Sequence, residues 1–414
     1  MKKYPFCILL ILPLILLCGC IFPLQRVSPD PDRIDATADS VFYSPDITNT
    51  APISDADEGP SLELPSASSV SPIQDPKLAV FWYAMADAHV FELREQFGPA
   101  LDDSGIPFRE YDAENDRYRQ LDQVREAAAG GWNIFAVQLV ADSDMEEAEE
   151  IMRLASGYPV IFFDRTPESG QFAEMLSQSV RNIVAVCSDP GETGRIQGKM
   201  IGEYLIRRFS NSDLNQNGQI SYTYLVGDHE DPCARKICDS SLEAVNAILA
   251  EGGYRSLIFI DEENTIGFQA DPDGAWSSDA GTALIRADLE TYNYINSNMI
   301  ELIAANNDDM ALGALTALQS AWCNLGDGSS VTIPLFGIGA SAAARSAVQL
   351  GQMTGTVDRN AAGYVRAVLA SVRGLAEGRS AEEVLSSIAA SDGECSVSSD
   401  SSCILFVAPI PVLS

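Results

Sequence analysis

The sequence predicts an α/β fold in which parallel sheets are covered by helices on both faces and are divided between two lobes. Short, continuously apolar runs alternate with stretches of helical spacing from Lys77 onward. Strands that are apolar on both faces are typical of parallel sheets. A body that runs from residue 77 to residue 414 is too long for one such sheet, so we expect two.

The expected strands are short and leave room for a helix between most of them. In chain order they are Leu78–Tyr83, Ile134–Val140, Val160–Phe163, Ile183–Val186, Ile220–Val226, Leu257–Ile260, Ile300–Ala304 and Ile333–Ile338. The expected helices carry apolar residues at three- and four-residue spacing. They include Val90–Leu101, Met145–Ala155, Glu192–Arg208, Leu242–Ala250, Met310–Trp322 and Ala361–Leu375. Because open parallel sheets bind ligands beyond the carboxyl ends of their strands, the polar residues after each strand are the candidates for a site.

The beginning of the chain has the pattern of an export signal. A basic start precedes the apolar run Ile8–Leu17, which is short for a spanning helix, and Leu17–Cys20 resembles a bacterial lipobox. The prediction is a signal peptide over residues 1–19, a lipid attached to Cys20, and a protein held at the extracellular face of the cytoplasmic membrane. An uncleaved N-terminal anchor helix is the alternative.

Composition and charge exclude several classes of protein. Residues 20–75 are rich in Pro, Ser and Asp, which predicts a disordered acidic linker. The chain has 26 basic and 59 acidic residues and a net charge of −33, so it lacks the positive surface that a nucleic acid requires. With only His89 and His229 present, a histidine-rich zinc site or a Ser-His-Asp triad has few candidates.

The segment Asp213–Ser221 has the spacing of the first nine positions of an EF-hand calcium loop. Its oxygen-bearing side chains at positions 1, 3, 5 and 9 are Asp213, Asn215, Asn217 and Ser221. Gly218 permits the sharp turn, and Gln219 offers its backbone carbonyl. The last position holds Tyr224 instead of a Glu, so another segment must supply that carboxylate. An Asn-rich surface turn is the alternative.

A second turn, Gly337–Ala342, fits the pattern GxGxxA, with Asp358 about twenty residues further on, as in a dinucleotide site. This turn is the basis for one enzyme hypothesis, a dinucleotide-using enzyme, although such turns are common in α/β folds. The second enzyme hypothesis is a secreted carbohydrate-active enzyme, with Asp87, Asp164 and Asp308 as candidate acids. Capping or solvated roles explain these carboxylates more simply.

Two further stretches follow predicted strands. Ala305–Met310 offers paired amides and carboxylates, for which a helix N-cap is the local alternative. Trp276 lies in a Gly- and Asp-rich stretch, and on its own it favours a core position over ligand stacking.

Taken together, these segments resemble the periplasmic galactose/glucose-binding proteins, a branch of the type I solute-binding proteins. The resemblance covers residues 77–414 and is carried, in the family's order, by Phe162–Pro167, Ser188–Gly198, Asp213–Ile220, Ala305–Ala314, Ile333–Gly337 and Thr354–Val357. It implies two Rossmann-like lobes joined by a three-segment hinge. By position, lobe one would comprise residues 77–163 and 358–393, and lobe two residues 164–357 and 394–414.

The resemblance also implies a function. The chain would be a monomeric binding protein and not an enzyme, and it would capture a sugar or sugar-like ligand for an ABC permease or a membrane sensor. A scaffold of the same fold that has lost binding is the alternative. The family's calcium site is completed by a Glu six residues before the sugar-binding Asn, which here is Glu301 before Asn307. Asn217 and Ser221 depart from the family's ligands and imply weaker calcium affinity.

The ligand contacts implied by the resemblance are Asp87, His89, Phe91, Gln138, Asp231, Arg235, Trp276, Asn307 and Arg359. In this scheme Trp276 stacks on the sugar ring, and His89 or Phe91 stacks from the other lobe. Gly339 replaces an Asp of the family and Arg359 an Asn. Arg235 and Arg359 together favour an anionic or phosphorylated sugar. A salt bridge from Arg359 to Asp358 or Asp87 is the alternative.

Overall fold

The computed structural model describes residues 71–414 apart from 142–144, 156, 168–169, 179–181, 262 and 294–297. The expected signal peptide, the lipidated Cys20 and the linker as far as residue 70 lie outside the described residues. The backbone N–H of Ile73 donates to the carbonyl of Ala376 at 2.8 Å, so the packed body begins slightly before the expected linker end at residue 75. None of the helices in the described part is long and apolar enough to cross a bilayer.

The alternation predicted from the sequence is present. The strands are β1 Leu78–Trp82, β2 Phe108–Asp112, β3 Ile134–Val137, β4 Val160–Phe163, β5 Ile183–Cys187, β6 Ser221–Val226, β7 Ile258–Phe259, β8 Gln269–Ala270, β9 Leu302–Ala305, β10 Leu335–Ile338, β11 Gly355–Asp358, β12 Cys395–Val397, β13 Ile404–Val407 and β14 Ile410–Leu413. The helices are α1 Ala88–Ser104, α2 Arg117–Ala129, α3 Met145–Leu154, α4 Gly170–Gln178, α5 Pro190–Ser212, α6 Pro232–Glu251, α7 Ser278–Thr291, α8 Asp308–Ser320, α9 Ala342–Gln349, α10 Ala361–Ala376 and α11 Ala381–Ser391.

Within the described residues, the strands form two seven-stranded sheets. The first has the order β12-β13-β5-β4-β3-β1-β2, and the second has the order β14-β11-β10-β9-β6-β7 with β8 also paired to β6. Neighbouring strands are parallel except for the pairs β12–β13 and β11–β14. Every residue of β1, β3, β4, β5 and β9 is buried, which explains why these strands are continuously apolar in the sequence.

The chain passes between the two sheets three times, after β5, between β11 and α10, and between β13 and β14. The expected lobe boundaries are wrong at two places. β5 pairs with β4, so the first lobe continues to Cys187 and does not end at residue 163. β12 and β13 also join the first sheet, so residues 394–407 belong to lobe one and β14 alone returns to the second sheet. Strand composition does not reveal which sheet a strand joins, because that choice depends on non-local pairing.

Each lobe has its own apolar core. In the first, the ring of Trp82 meets those of Phe97 and Phe163 edge to face. In the second, α5 lies directly against α6 because Gly194 and Gly198 leave no side chain between them. A Cβ at Gly198 would come within 3.0 Å of the carbonyl oxygen of Ser241, so this contact requires glycine.

Candidate ligand-binding site

The first wall of the site begins at Asp87, which follows β1 and caps α1. Its Oδ1 accepts the backbone N–H groups of His89 at 2.8 Å and Val90 at 3.1 Å. This cap explains why a helix begins here. Burial, and after it the neighbouring Asp87 carboxylate, raise the pKa of Tyr83, so the phenol stays protonated beside Asp87. The carboxylate is therefore held at the carboxyl edge of the first sheet.

Asp164 joins two of the expected site residues. Its two carboxylate oxygens each lie 3.2 Å from Nε2 of His89, and Oδ2 accepts Nε2–H of Gln138 at 2.6 Å. Burial opposes ionisation of Asp164, but His89, Arg359 and Gln138 outweigh it and hold its pKa well below the usual range. Sequence reasoning considered Asp164 only as a candidate acid and missed this role, although its position directly after β4 was an available signal.

The second wall joins Trp276 to Asn307. Asn307 caps α8 by accepting the N–H of Met310 at 3.0 Å, and its Nδ2 donates to the backbone carbonyl of Trp276 at 2.8 Å. The indole of Trp276 lies on the backbone of Gly227, where a Cβ would come within 3.0 Å of ring atoms. The backbone of Trp276 is thus fixed beside the N-cap of α8, and its half-buried ring packs on Gly227, which directly follows β6.

The structure places three other expected residues less centrally. Asp231 caps α6 and accepts the N–H of Cys233 at 2.8 Å. The guanidinium of Arg235 is exposed and lies over the ring of Phe268, 5.1 Å from its centre. Phe91 is 56% exposed, and it stands two helical positions from His89. Because two positions correspond to about 200° of rotation on a helix, Phe91 does not share the face that carries His89.

Arg359 lies in the crossing segment between β11 and α10. Among the described residues it has no hydrogen bond or ion pair, so the alternative of a salt bridge to Asp358 or Asp87 is wrong. Asp358 pairs with Arg345 instead. Burial raises the pKa of Asp308 in lobe two, and the charge of Arg359 offsets a part of that effect; the same charge, after that of His89, also helps to lower the pKa of Asp164 in lobe one.

The glycine-rich turn after β10 is filled by a carboxylate of the protein itself. Asp308 accepts the hydroxyl of Thr356 and the backbone N–H of Ser341, each at 2.7 Å. A Cβ at Gly339, whose φ is +135°, would lie 3.1 Å from the Asp308 carboxylate. The turn therefore makes room for Asp308 at the start of α9, where a dinucleotide would place its pyrophosphate, and this occupation argues against the dinucleotide alternative.

The structure brings Glu301 to the calcium-like loop, as the resemblance implies. Its Oε1 accepts the N–H of Leu214 at 2.6 Å and of Asn215 at 3.1 Å, and its Oε2 accepts the N–H of Ser221 at 2.9 Å. The side chain is fully buried and, within the described part of the chain, has no cationic partner. Burial raises the pKa of Glu301, and the three backbone donors offset part of that effect.

The loop itself has the turn that its glycine predicts. Asp213 accepts the N–H groups of Asn217 and Gly218, and the φ of Gly218 is +78°. A buried carboxylate beside an oxygen-rich loop fits a hard cation such as calcium. In the described ranges, no three His, Cys, Asp or Glu side chains converge as a metal site. An ion here would therefore depend on amide and backbone oxygens as well as on Asp213 and Glu301.

These features define a class of protein. Polar and aromatic side chains lie at the carboxyl edges of two parallel sheets, and three crossing segments connect the lobes, as in two-lobed proteins that close on a small ligand. A family model for the periplasmic binding protein domain matches residues 78–380, and the chain belongs to that family. The membership confirms the expected type I fold and a binding protein instead of an enzyme.

Relatives and solved structures agree with this assignment. The chain is 29% identical over 320 residues to the D-galactose/methyl-galactoside binding periplasmic protein MglB of Haemophilus influenzae, covering 77% of this chain and 86% of that protein. An ABC transporter periplasmic solute binding protein from Actinobacillus succinogenes with bound D-allose superposes with a TM-score of 0.59 and 17% identity, covering 81% of this chain and 97% of that one. The Caulobacter myo-inositol binding protein bound to myo-inositol superposes with a TM-score of 0.53 and 18% identity, covering 84% of this chain and 96% of that one. At these identities, the two structures show the shared fold.

Proposed function

We propose that this protein captures a sugar or sugar-like solute between its lobes and delivers it to an ABC importer or a membrane sensor. The observation that carries the proposal is the hydrogen-bonded pair Trp276–Asn307 beyond the strands of lobe two, with Asp87 and Gln138 beyond those of lobe one. An aromatic face beside fixed polar groups suits a ring with C–H faces and peripheral hydroxyls. The galactose, allose and myo-inositol named for the similar proteins are all polyhydroxylated rings.

Binding on this scheme needs no covalent step. Asp87 and Asn307 orient hydroxyls, Trp276 covers the apolar face of the ring, and closure of the lobes excludes water. Glu92 of lobe one lies close enough to the N–H of Ala342 in lobe two for that amide to lower its pKa against the effect of burial. A ligand that contacts both lobes binds the closed form more tightly than the open form, and it therefore shifts the population towards the closed form.

The test is a titration of purified protein with a panel of neutral and acidic sugars, followed by melting temperature and by calorimetry. We expect saturable binding and recovery of unchanged ligand. Failure of every sugar to bind, or chemical conversion of the bound one, would reject the proposed function.

We also propose a structural calcium ion held by Asp213, Asn215, Asn217, the carbonyl of Gln219, Ser221 and Glu301. The contact between Glu301 and the loop supports it. Such an ion would connect the loop before β6 to the strand that leads to Asn307, and so would stiffen this wall of the site.

The third part of the proposal concerns location. The family is one of exported binding proteins, and the sequence Leu17–Cys20 favours a lipid anchor on Cys20 that holds the protein outside the cytoplasmic membrane. Fractionation of cells that express the Cys20→Ala variant tests this. Release of the variant into the soluble fraction is expected, and unchanged membrane association would contradict the anchor.

A further inference from the structure

We propose that Asp271 positions Trp276 for the ligand, because it holds one end of the peptide group that follows the tryptophan while Asn307 holds the other end. This role rests on the proposed function, in which the ring of Trp276 covers one face of a sugar. The backbone of Trp276 has a φ of +57°. A bulky side chain is uncommon in this left-handed region, so the surrounding contacts must hold the residue there.

The peptide group between Trp276 and Ser277 is hydrogen-bonded at both of its ends. Its carbonyl oxygen accepts an Nδ2–H of Asn307 at 2.8 Å, and its N–H, which belongs to Ser277, donates to Oδ2 of Asp271 at 2.9 Å. Relaxation of Trp276 towards the right-handed or extended region would turn this peptide group. The two hydrogen bonds oppose that turn and therefore stabilise the left-handed conformation.

Asp271 is itself fixed beside the surface on which the ring packs. It directly follows β8, is 3% exposed, and donates its backbone N–H to the carbonyl of Val226 at 2.9 Å. The residue after Val226 is Gly227, on which the indole of Trp276 lies. Asp271 therefore connects the surface that receives the ring to the peptide group that follows the tryptophan.

Both carboxylate oxygens of Asp271 already have donors within the protein. Oδ1 accepts the N–H of Asp273 at 3.0 Å, and Oδ2 accepts the hydroxyl of Ser277 at 2.9 Å in addition to its N–H. Burial alone would raise the pKa of Asp271, but these hydrogen bonds outweigh burial and lower it. Because the carboxylate is buried and fully used, Asp271 acts on a ligand through Trp276 and is a positioning residue.

The alternative is that Asp271 only supports the start of α7. The hydroxyl of Ser277 caps that helix by accepting the N–H of Ala280 at 3.1 Å. Ser277→Ala separates the two roles, because it removes the cap hydroxyl and keeps the backbone N–H that donates to Asp271. It should lower the melting temperature and leave the conformation of Trp276 in place.

The first experiment measures the near-ultraviolet circular dichroism of Trp276 in protein without sugar. The chain has four tryptophans, so the signal of Trp276 is isolated by subtracting the spectrum of Trp276→Phe in each background. Asp271→Ala removes both acceptor oxygens and should lose most of this signal. Asn307→Asp should lose it too, because an Asp still caps α8 but has no N–H for the carbonyl of Trp276.

The second experiment tests whether Asp271 acts through Trp276, with the sugar of the panel that binds best. Asp271→Ala should weaken binding about tenfold by calorimetry, and less than about twofold in protein that already carries Trp276→Ala. Its matched control is Asp279→Ala, which removes an exposed carboxylate from the first turn of α7 and should change neither affinity nor spectrum.

The outcomes separate this role from the proposed function. If sugars bind and Asp271→Ala keeps the signal of Trp276, or weakens binding equally in both backgrounds, the positioning role is wrong and the proposed function stands. A spectral loss in Ser277→Ala as large as that in Asp271→Ala would also overturn the role, because the effect would then belong to the helix cap.

Two other results are decided by the spectra. If no sugar binds to wild type, the proposed function fails, and the signal of Trp276 alone decides whether Asp271 fixes the tryptophan. If Asp271→Ala does not fold, Asn307→Asp decides, and an unchanged signal of Trp276 in that variant would overturn the role of the two hydrogen bonds.

Discussion

Replacing Glu301 by Gln tests the calcium proposal. It separates the charge that would bind calcium from the hydrogen bonds that the side chain accepts from the backbone. The substitution keeps the shape and removes the charge. In wild type, both carboxylate oxygens accept hydrogen bonds, from Leu214 and Asn215 on one side and from Ser221 on the other. In the variant, one of these oxygens becomes an NH₂ group that faces backbone donors.

The expected magnitudes follow from these contacts. Without calcium, the variant loses acceptors for buried N–H groups, which lowers the free energy of unfolding by about 1–3 kcal/mol. With calcium at about 100 times its dissociation constant, the wild type gains about 2.7 kcal/mol, and the variant should gain much less because a charged ligand is missing. A gain of that size corresponds to a rise in melting temperature of several degrees.

The assay is thermal unfolding of both proteins in excess calcium and in chelator. The matched control is Glu243→Gln, which removes an exposed carboxylate in the middle of α6 and should keep the full response to calcium. A wild-type protein that melts at one temperature in both conditions, or a Glu301→Gln protein with the full calcium response, would refute the reasoning.

Three further substitutions have defined outcomes. Trp276→Ala removes the ring that lies on Gly227 and should weaken sugar binding about thirtyfold by calorimetry, with little change in the circular dichroism spectrum. Gly198→Ala places a Cβ against the carbonyl of Ser241 and should lower the free energy of unfolding in urea by about 1–3 kcal/mol. Asp288→Asn tests a buried acid whose pKa burial raises to about 6. Because this folded value exceeds the unfolded one, ionisation opposes folding, so the variant should be more stable than wild type by up to about 3 kcal/mol near pH 8, and the difference should vanish as the pH falls towards about 4.

The sequence was sufficient for the architecture because its signals are local. Buried parallel strands such as Val160–Phe163 are apolar throughout, and each is followed by a polar residue at the edge where ligands bind. Asn307 and Trp276 were both expected as ligand contacts, and a hydrogen bond from Nδ2 of Asn307 to the backbone carbonyl of Trp276 joins them. The spacing of Asp213–Ser221 likewise predicted the loop. The family resemblance predicted that Glu301 contacts this loop, and its carboxylate accepts the N–H of Leu214.

What the sequence could not supply depends on contacts between distant segments. His89 and Asp164 meet across 75 positions, and no local pattern relates them. Asp308 can enter the glycine turn only because Gly339 has no side chain. The pattern GxGxxA would leave the same space for a phosphate, so the sequence alone does not tell which group occupies it. The segment after residue 393 was assigned to the wrong lobe for the same reason, since β13 pairs with β5 through residues as distant in the sequence as Ile404 and Ala185.

Native mass spectrometry of the protein purified from its own cells tests the central claim most directly. We expect a bound small molecule with the mass of an unmodified polyhydroxylated ring, retained by wild type and absent from Trp276→Ala. Wild-type protein that carries no such molecule and still shows none after exposure to the sugar panel would contradict the account.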